Sequence, residues 1–100
     1  MDDPVTAQRK IKDALGYGTG TVTLPSNTSP TGYESYSWHV ENVRIGDSYD
    51  PSIIIDYRFD KEVDYFPKDR VWDASKKDIE NRIRGVTDRH VIINIKLFSW

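Results

Sequence analysis

Apolar and polar residues alternate along two segments in the second half of the chain. In Ser52–Phe59 every second residue is large and apolar, namely Ile53, Ile55, Tyr57 and Phe59. In Arg89–Trp100 one face carries Val91, Ile93, Ile95 and Leu97. Because successive side chains of a β-strand point to opposite faces, both segments are predicted to be strands with one buried face.

Two more strands are predicted earlier in the chain, at Thr21–Leu24 and Tyr33–Ile45. In the longer one, Trp38 and Val43 lie an odd number of positions apart, so a regular strand would point them to opposite faces. A bulge near residues 41 and 42 is expected to restore a common face. The stretch between the strands, Pro25–Gly32, is rich in Pro, Ser, Thr and Asn, which predicts an exposed, mobile loop at about residues 25–33.

Two helices are predicted. Pro4–Leu15 has apolar residues at helical spacing, Asp3 as its capping residue and Gly16 where the helix is expected to end. Ser75–Arg84 begins with a capping-box pattern, since Asp78 follows its first residue by three positions. The elements together predict an α+β fold in a single domain, residues 1–100, with a mostly antiparallel sheet of four to five strands and two helices packed on it.

The last predicted strand carries large apolar side chains on the face opposite to its aliphatic one: Ile92, Phe98 and Trp100. Apolar groups of this size on a solvent-facing surface require a cover. The first helix is one candidate for that cover, and a partner subunit is the other. The pattern of residues leaves both open.

Composition narrows the function classes further. The chain has no cysteine, 14 basic and 16 acidic residues, and a formal net charge of −2. The absence of cysteine excludes disulfides and thiolate chemistry, and the near balance of charges argues against a dedicated nucleic-acid binder. No stretch is long and apolar enough for a transmembrane helix, and Met1–Pro4 lacks the apolar core of a signal peptide, so neither membrane insertion nor secretion is expected.

Residues that carry catalysis or bind metals are sparse. Neither His39 nor His90 has the spacing of a pair of metal ligands. The glycines within 16–20 follow a helix and open a strand, the reverse of a phosphate-binding loop. Acidic residues at 60, 62 and 64 have the spacing that starts a calcium loop, but Tyr65 stands where that loop requires glycine. No catalytic residue, metal or cofactor is therefore predicted, and a small hydrolase or metal-dependent enzyme is the weakest class.

Basic residues cluster around the second helix and give an alternative interpretation. They are Lys76, Lys77, Arg82, Arg84 and Arg89. With Tyr33, Tyr36 and Trp38 as stacking platforms, they would suit a small nucleic-acid-binding or regulatory module. A solvated helix face explains the same cluster, and no aromatic-rich segment of the RNA-recognition type is present.

The order and size of the elements resemble the small tail-terminator and head–tail connector proteins of tailed viruses. The likeness rests on a helix from Asp3 to Leu15, a β-region with a long loop, a strand (Ile53–Phe59), a helix (Ser75–Arg84) and a closing strand (Val91–Leu97). It implies a ring of identical subunits, commonly a hexamer, whose long loops reach neighbouring subunits. It implies no catalytic residue or cofactor, and a location in the virion or in the cytoplasm of the producing cell.

The expected function is that of a non-enzymatic structural protein, a ring-forming tail-terminator or connector subunit that contacts itself and other structural proteins. Large apolar and aromatic side chains are enriched at such contacts. The predicted contact residues are Ile92, Phe98 and Trp100 on the last strand and, beside the loop, Tyr33, Tyr36 and Trp38.

Overall fold

Two helices and four strands make up the computed structural model of the chain, which describes residues 2–46, 52–60 and 68–99, without the side chains of residues 68, 98 and 99. The elements are α1 (Pro4–Leu15), β1 (Thr19–Pro25), β2 (Tyr33–Ile45), β3 (Ser52–Phe59), α2 (Lys68–Ile83) and β4 (Ile92–Ser99). The strands form one sheet in the order β1-β2-β3-β4. The predicted α+β class is confirmed.

The sheet is mixed in direction. β1 pairs with β2, and β2 with β3, in antiparallel fashion, whereas β4 runs parallel to β3. The parallel pair follows from the connection, because a chain that leaves β3 and returns through a helix enters the neighbouring position in the same direction. The prediction of a mostly antiparallel sheet therefore fits two of the three pairings and misses the third.

Helix α1 has the predicted bounds and caps. The backbone N–H of Thr6 donates to the Asp3 carboxylate at 2.7 Å, which satisfies one of the unpaired donors of the first turn. At the other end Gly16 has a φ of 63°, a conformation that a side chain would strain. Ala7, Ile11 and Leu15 are buried on one face of the helix, and they anchor it to the core.

The predicted bulge in β2 is confirmed. The register against β3 shifts between Val40 and Asn42, so that one residue of β2 has no counterpart. Trp38 before the shift is 0% exposed and Val43 after it is 5% exposed. Both side chains therefore reach the same face, as the extra residue requires.

Both helices cover one face of the sheet, which we call the inner face. Its centre is the row of β3 residues Ile53, Ile55, Tyr57 and Phe59, which belong to the same buried cluster as the apolar residues of α1 and α2. The neighbouring row in β4 is only half-buried: Ile93, Ile95 and Leu97. The opposite side of the sheet, the outer face, has no helix packed on it among the residues that the structure describes.

The predicted start of the second helix is wrong. Helix α2 begins at Lys68, and Ser75, predicted to cap it, is fully buried inside the helix. Its hydroxyl donates to the carbonyl of Trp72 at 2.8 Å and accepts from the Tyr57 hydroxyl, also at 2.8 Å. A serine inside a helix can bond the carbonyl of the preceding turn, so the residue type did not require a helix end. The last strand also starts later than predicted, at Ile92.

We expect Gly20→Ala to destabilise the fold. A Cβ at this position would overlap the indole ring of Trp38 and approach the Asp78 carboxylate, although the φ of Gly20 is an ordinary one. Overpacking of this kind costs about 1–3 kcal/mol, which urea denaturation would measure. Thr21→Ala, at the exposed neighbouring position, is the control and should be close to neutral. Equal stability of both variants would contradict the contact.

We also expect Ser75→Ala to cost about 1–3 kcal/mol, because it leaves the buried hydroxyl of Tyr57 without its acceptor. Tyr57→Phe removes the other partner, and the double variant completes a mutant cycle measured by urea denaturation. A favourable coupling of about 1 kcal/mol is expected for residues in direct contact. Additive losses would show that the two hydroxyl groups do not interact.

Candidate functional site

The distal part of the β1–β2 hairpin extends past the rest of the sheet. β3 pairs with β2 from Trp38 to Ile45, so residues 23–35, which we call the hairpin arm, have no third strand beside them among the residues that the structure describes. The molecule is accordingly long, with principal extents of 50 × 21 × 19 Å. Two-stranded hairpins are marginally stable in water by themselves, so the arm is suited to gain stability from a partner.

Polar side chains hold the hairpin arm together. The hydroxyls of Thr23 and Ser35 lie 3.2 Å apart across the strands. At the tip, the N–H of Ser26 donates to the carbonyl of Gly32 at 2.9 Å, which closes the loop. The predicted exposure of this loop is confirmed at residues 27, 28 and 30–32. Its mobility stays a prediction.

The aromatic residues predicted beside the loop have three different environments. Tyr33 is 58% exposed at the base of the loop, and Tyr36 is half-buried against the core. Trp38 is fully buried, between Gly20 and the guanidinium of Arg82. The prediction that Trp38 contacts a partner or stacks on a base is therefore wrong, because its ring is part of the inner face.

The outer face of β4 is not covered by α1. That helix packs on the inner face against β2, β3 and α2, and Ile92 is 51% exposed. Of the two predicted covers, the intramolecular one is therefore wrong at Ile92. The side chain of Phe98 and all of Trp100 lie outside the described residues, as do the acidic residues at 62 and 64.

The basic residues around α2 are divided between exposed and internal roles. Lys77, Arg84 and Arg89 are exposed, whereas Lys76 lies 5.4 Å from the centroid of the Trp72 ring. Arg82 donates to the backbone carbonyl of Thr19 at 2.6 Å and to the Asp78 carboxylate at 3.3 Å. A side chain bound in this way joins α2 to β1 and offers little to a phosphate.

A groove separates the C-terminal half of α2 from β4. Its volume is about 600 Å³. The residues that line it include the apolar Ile83, Ile93 and Ile95 and the charged Lys76, Glu80, Arg84 and Lys96. The groove had no signal in the sequence, because it depends on how far the helix stands from the strand.

A charged cluster on the outer face was also missed. His39 lies between two carboxylates: its Nδ1 contacts Asp60, and its Nε2 lies 2.9 Å from Glu41. Arg58, opposite His39 in the β2–β3 register, approaches Glu41 at 3.5 Å. The hydrogen bond to Asp60, with that to Glu41, raises the pKa of His39 above its ordinary 6.5. Only the strand register, together with the bulge, brings these residues together.

Two kinds of site are absent from the described ranges 2–46, 52–60 and 68–99. Within them, no group of three or more His, Asp or Glu side chains is arranged to hold a metal ion. Within the same ranges, no helix has the length and apolar character needed to cross a membrane.

The raised pKa of His39 predicts a pH dependence of stability. Because the folded pKa lies above 6.5, the contribution of the cluster is fully present below pH 6.5 and is lost as the pH rises through the folded pKa. NMR titration of the imidazole should give a value above 6.5, and Asp60→Asn should lower it. Urea denaturation should show that the free energy of unfolding of the unmodified chain falls between about pH 5.5 and about pH 8.5, and that it falls by less in Asp60→Asn. An unchanged His39 pKa in the variant would contradict the contact.

Comparison with known proteins gives no relative of this chain. No family model matches it, and neither a curated protein nor a solved structure does. The resemblance to tail-terminator and connector proteins therefore stays an expectation. The function of this protein has to be inferred from the arm, the outer face and the groove.

Proposed function

We propose that this protein is a non-enzymatic structural subunit that assembles with copies of itself through the hairpin arm, as a ring-forming tail-terminator or head–tail connector subunit of a tailed virus does. The observation that carries the proposal is the arm itself, residues 23–35 of a two-stranded hairpin that passes beyond β3. A projecting element that is marginal by itself gains most when a neighbouring subunit packs against it.

The proposed contact residues are two exposed apolar ones, one in the hairpin arm and one on the outer face of β4. Tyr33 presents a ring at the base of the arm's loop, and Ile92 presents an aliphatic side chain on the outer face of β4. Tyrosine combines a large contact area with a polar tip, and it is a frequent energetic centre of interfaces. Tyr33 lies in the hairpin of β1 and β2, and Ile92 lies in β4 at the opposite edge of the sheet, so an arm-to-β4 contact joins different patches of the two subunits.

A contact between different patches is heterologous, and it repeats from one subunit to the next. Such a contact closes into a ring when the rotation between subunits divides a full turn, and otherwise forms a helical filament. An arm at one edge of the sheet and an acceptor at the other are compatible with a ring, and native mass spectrometry distinguishes a closed ring from an open series of oligomers. This supports the assembly expected from the resemblance.

The nucleic-acid alternative has less support. It relied on Trp38 as a stacking platform and on Arg82 as a phosphate contact, and these side chains are buried or bound to β1. The exposed residues Lys77, Arg84 and Arg89 remain available to it. Steep loss of affinity with salt would be its signature, since phosphate contacts release counterions.

The assembly is tested by native mass spectrometry over a range of protein and salt concentrations. We expect the unmodified chain to form a discrete ring that survives salt. Tyr33→Ser and Ile92→Ser should each weaken association about tenfold or more, because each removes an apolar contact. A third variant replaces residues 24–34 with Asn-Gly, which suits a two-residue hairpin turn between Thr23 and Ser35. Because it lacks most of the hairpin arm, it should remain monomeric.

Tyr17→Ser is the matched control, since Tyr17 is fully exposed on the loop after α1. It should assemble like the unmodified chain, and the three single substitutions should keep its circular dichroism spectrum and melting temperature. A monomer at every concentration would contradict self-assembly. Equal loss of assembly in Tyr17→Ser and Tyr33→Ser would contradict the assignment of the arm.

A further inference from the structure

His39 meets a carboxylate at each of its two ring nitrogens. Its Nδ1 contacts Asp60, which follows β3, and its Nε2 lies 2.9 Å from Glu41 of the same strand. A neutral imidazole carries one N–H group, whereas a cationic one carries two. Because an ionised carboxylate can only accept, both contacts are hydrogen bonds only while His39 is a cation. Loss of its proton therefore breaks one of the two hydrogen bonds.

The other neighbours of the imidazole decide which hydrogen bond is lost. From β3, Arg58 lies opposite the ring in the register and approaches Glu41 at 3.5 Å. From β1, the residue opposite the ring is Thr19, which carries no charge. The next cation of β2, Arg44, is paired with Asp56 at 2.8 Å. Both helices pack on the inner face, on the other side of the sheet.

The two carboxylates differ in the cations within their reach. Among the described residues, the ion-pair partner of Asp60 is His39 alone, whereas Glu41 also has Arg58. A carboxylate is repelled by the lone pair of an unprotonated ring nitrogen, and a guanidinium beside it offsets that repulsion. The remaining proton is therefore expected on Nδ1, which faces Asp60. Glu41 is then the carboxylate that leaves the ring, and Arg58 is placed to donate to it across the strands.

We propose that His39 is a pH-operated switch that sets the partner of Glu41 at the bulge of β2. With His39 charged, Glu41 pairs with it along β2, and with His39 neutral, Glu41 pairs with Arg58 across to β3. The side chains of the cluster are 36–49% exposed, so the exchange needs no opening of the core. The hydrogen bonds to Asp60 and Glu41 raise the pKa of His39 above 6.5, which moves the transition towards neutral pH.

The switch changes the charge that the outer face presents near the base of the hairpin arm. The protonated cluster has two cations and two carboxylates, whereas the deprotonated cluster has one cation and the same two carboxylates. A partner that packs against this part of the outer face therefore meets a balanced cluster below the folded pKa of His39 and a negative one above it. The exchange takes place within one subunit, so the inference goes beyond the proposed function and does not rest on it.

The first test is the protonation state of each ring nitrogen of His39 in the unmodified chain. Nitrogen NMR spectra of the imidazole are recorded at about pH 5.5 and about pH 8.5, and the spectrum of His39→Ala identifies the signals. We expect both nitrogens to be protonated at the lower pH and Nδ1 alone at the higher. A proton on Nε2 alone at the higher pH would overturn the proposal, because it leaves Glu41 bound to the ring. An imidazole that does not titrate between the two pH values would overturn it as well.

Two double-mutant cycles then follow the partner of Glu41 by urea denaturation at one protein concentration. The first cycle combines Glu41→Gln with His39→Ala, and the second combines Glu41→Gln with Arg58→Gln. For the first we expect a coupling of about two- to fivefold in the unfolding equilibrium constant at about pH 5.5, and a smaller one at about pH 8.5. The second cycle should show the opposite order, with its larger coupling at the higher pH.

Glu34→Gln is the matched control, because Glu34 is an exposed carboxylate of β2 that has no ion-pair partner among the described residues. It should show no coupling to His39→Ala or Arg58→Gln at either pH. Couplings of Glu41 that stay the same at both pH values would contradict the exchange of partners, and so would a coupling of Glu34 as large as that of Glu41. The NMR measurement needs no folded variant beyond the unmodified chain, so it decides the question even if a double variant is poorly folded.

Discussion

The buried indole of Trp38 contacts three elements besides its own strand. Gly20 of β1 lies directly against the ring, Tyr57 of β3 meets it edge-on at 6.0 Å between centroids, and Arg82 of α2 places its guanidinium 4.9 Å from the ring centroid. An edge-on aromatic pair and a cation over an aromatic face are both attractive arrangements. Strand β1 contributes few aliphatic residues, so its place in the sheet depends strongly on this contact.

Trp38 also marks the boundary between the core and the hairpin arm. It pairs with Phe59, the last residue of β3, and beyond it the described part of the chain places no third strand beside the hairpin. From Trp38 to Ile45, where β2 pairs with β3, the apolar residues Trp38 and Val43 are buried on the inner face. Beyond the boundary one face of the hairpin carries polar cross-strand pairs, Thr21 with Ser37 and Thr23 with Ser35, while Val22 and Tyr36 form an apolar pair on the other. The hairpin therefore keeps apolar residues on one face beyond the end of β3, whereas its other face becomes polar.

Features set by neighbouring residues were predictable, and features set by distant contacts were not. The cap of α1 and the bounds of β3 follow from a few adjacent residues, and the β2 bulge follows from the parity of its apolar positions. Ser75 shows the limit: its local pattern resembles a cap, but its partner Tyr57 lies 18 positions away. The parallel direction of β4 depends in the same way on how a helix carries the chain across the sheet.

The candidate sites show the same difference between features set by neighbouring residues and features set by distant contacts. Exposure of Tyr33 could be predicted because turn-forming residues precede it, whereas burial of Trp38 required knowledge of Gly20 and Arg82. The His39 cluster combines residues of β2 with Asp60 after β3, and only the register across the bulge brings them together. Sequence patterns therefore identified which residue types were available for contacts, but not which of them the fold had already used.

The edge strand β4 is held in place at its start, although its inner side is only half-buried. Just before β4, Asp2 accepts from the backbone N–H of Asp88 at 3.3 Å and pairs with Lys10 at 2.8 Å. The Lys10 hydrogen bond is the largest influence that lowers the pKa of Asp2, so its carboxylate stays charged over the neutral range. Because these contacts tie the N-terminal segment to the turn that leads into β4, the start of this edge strand is fixed by a residue 86 positions earlier in the sequence.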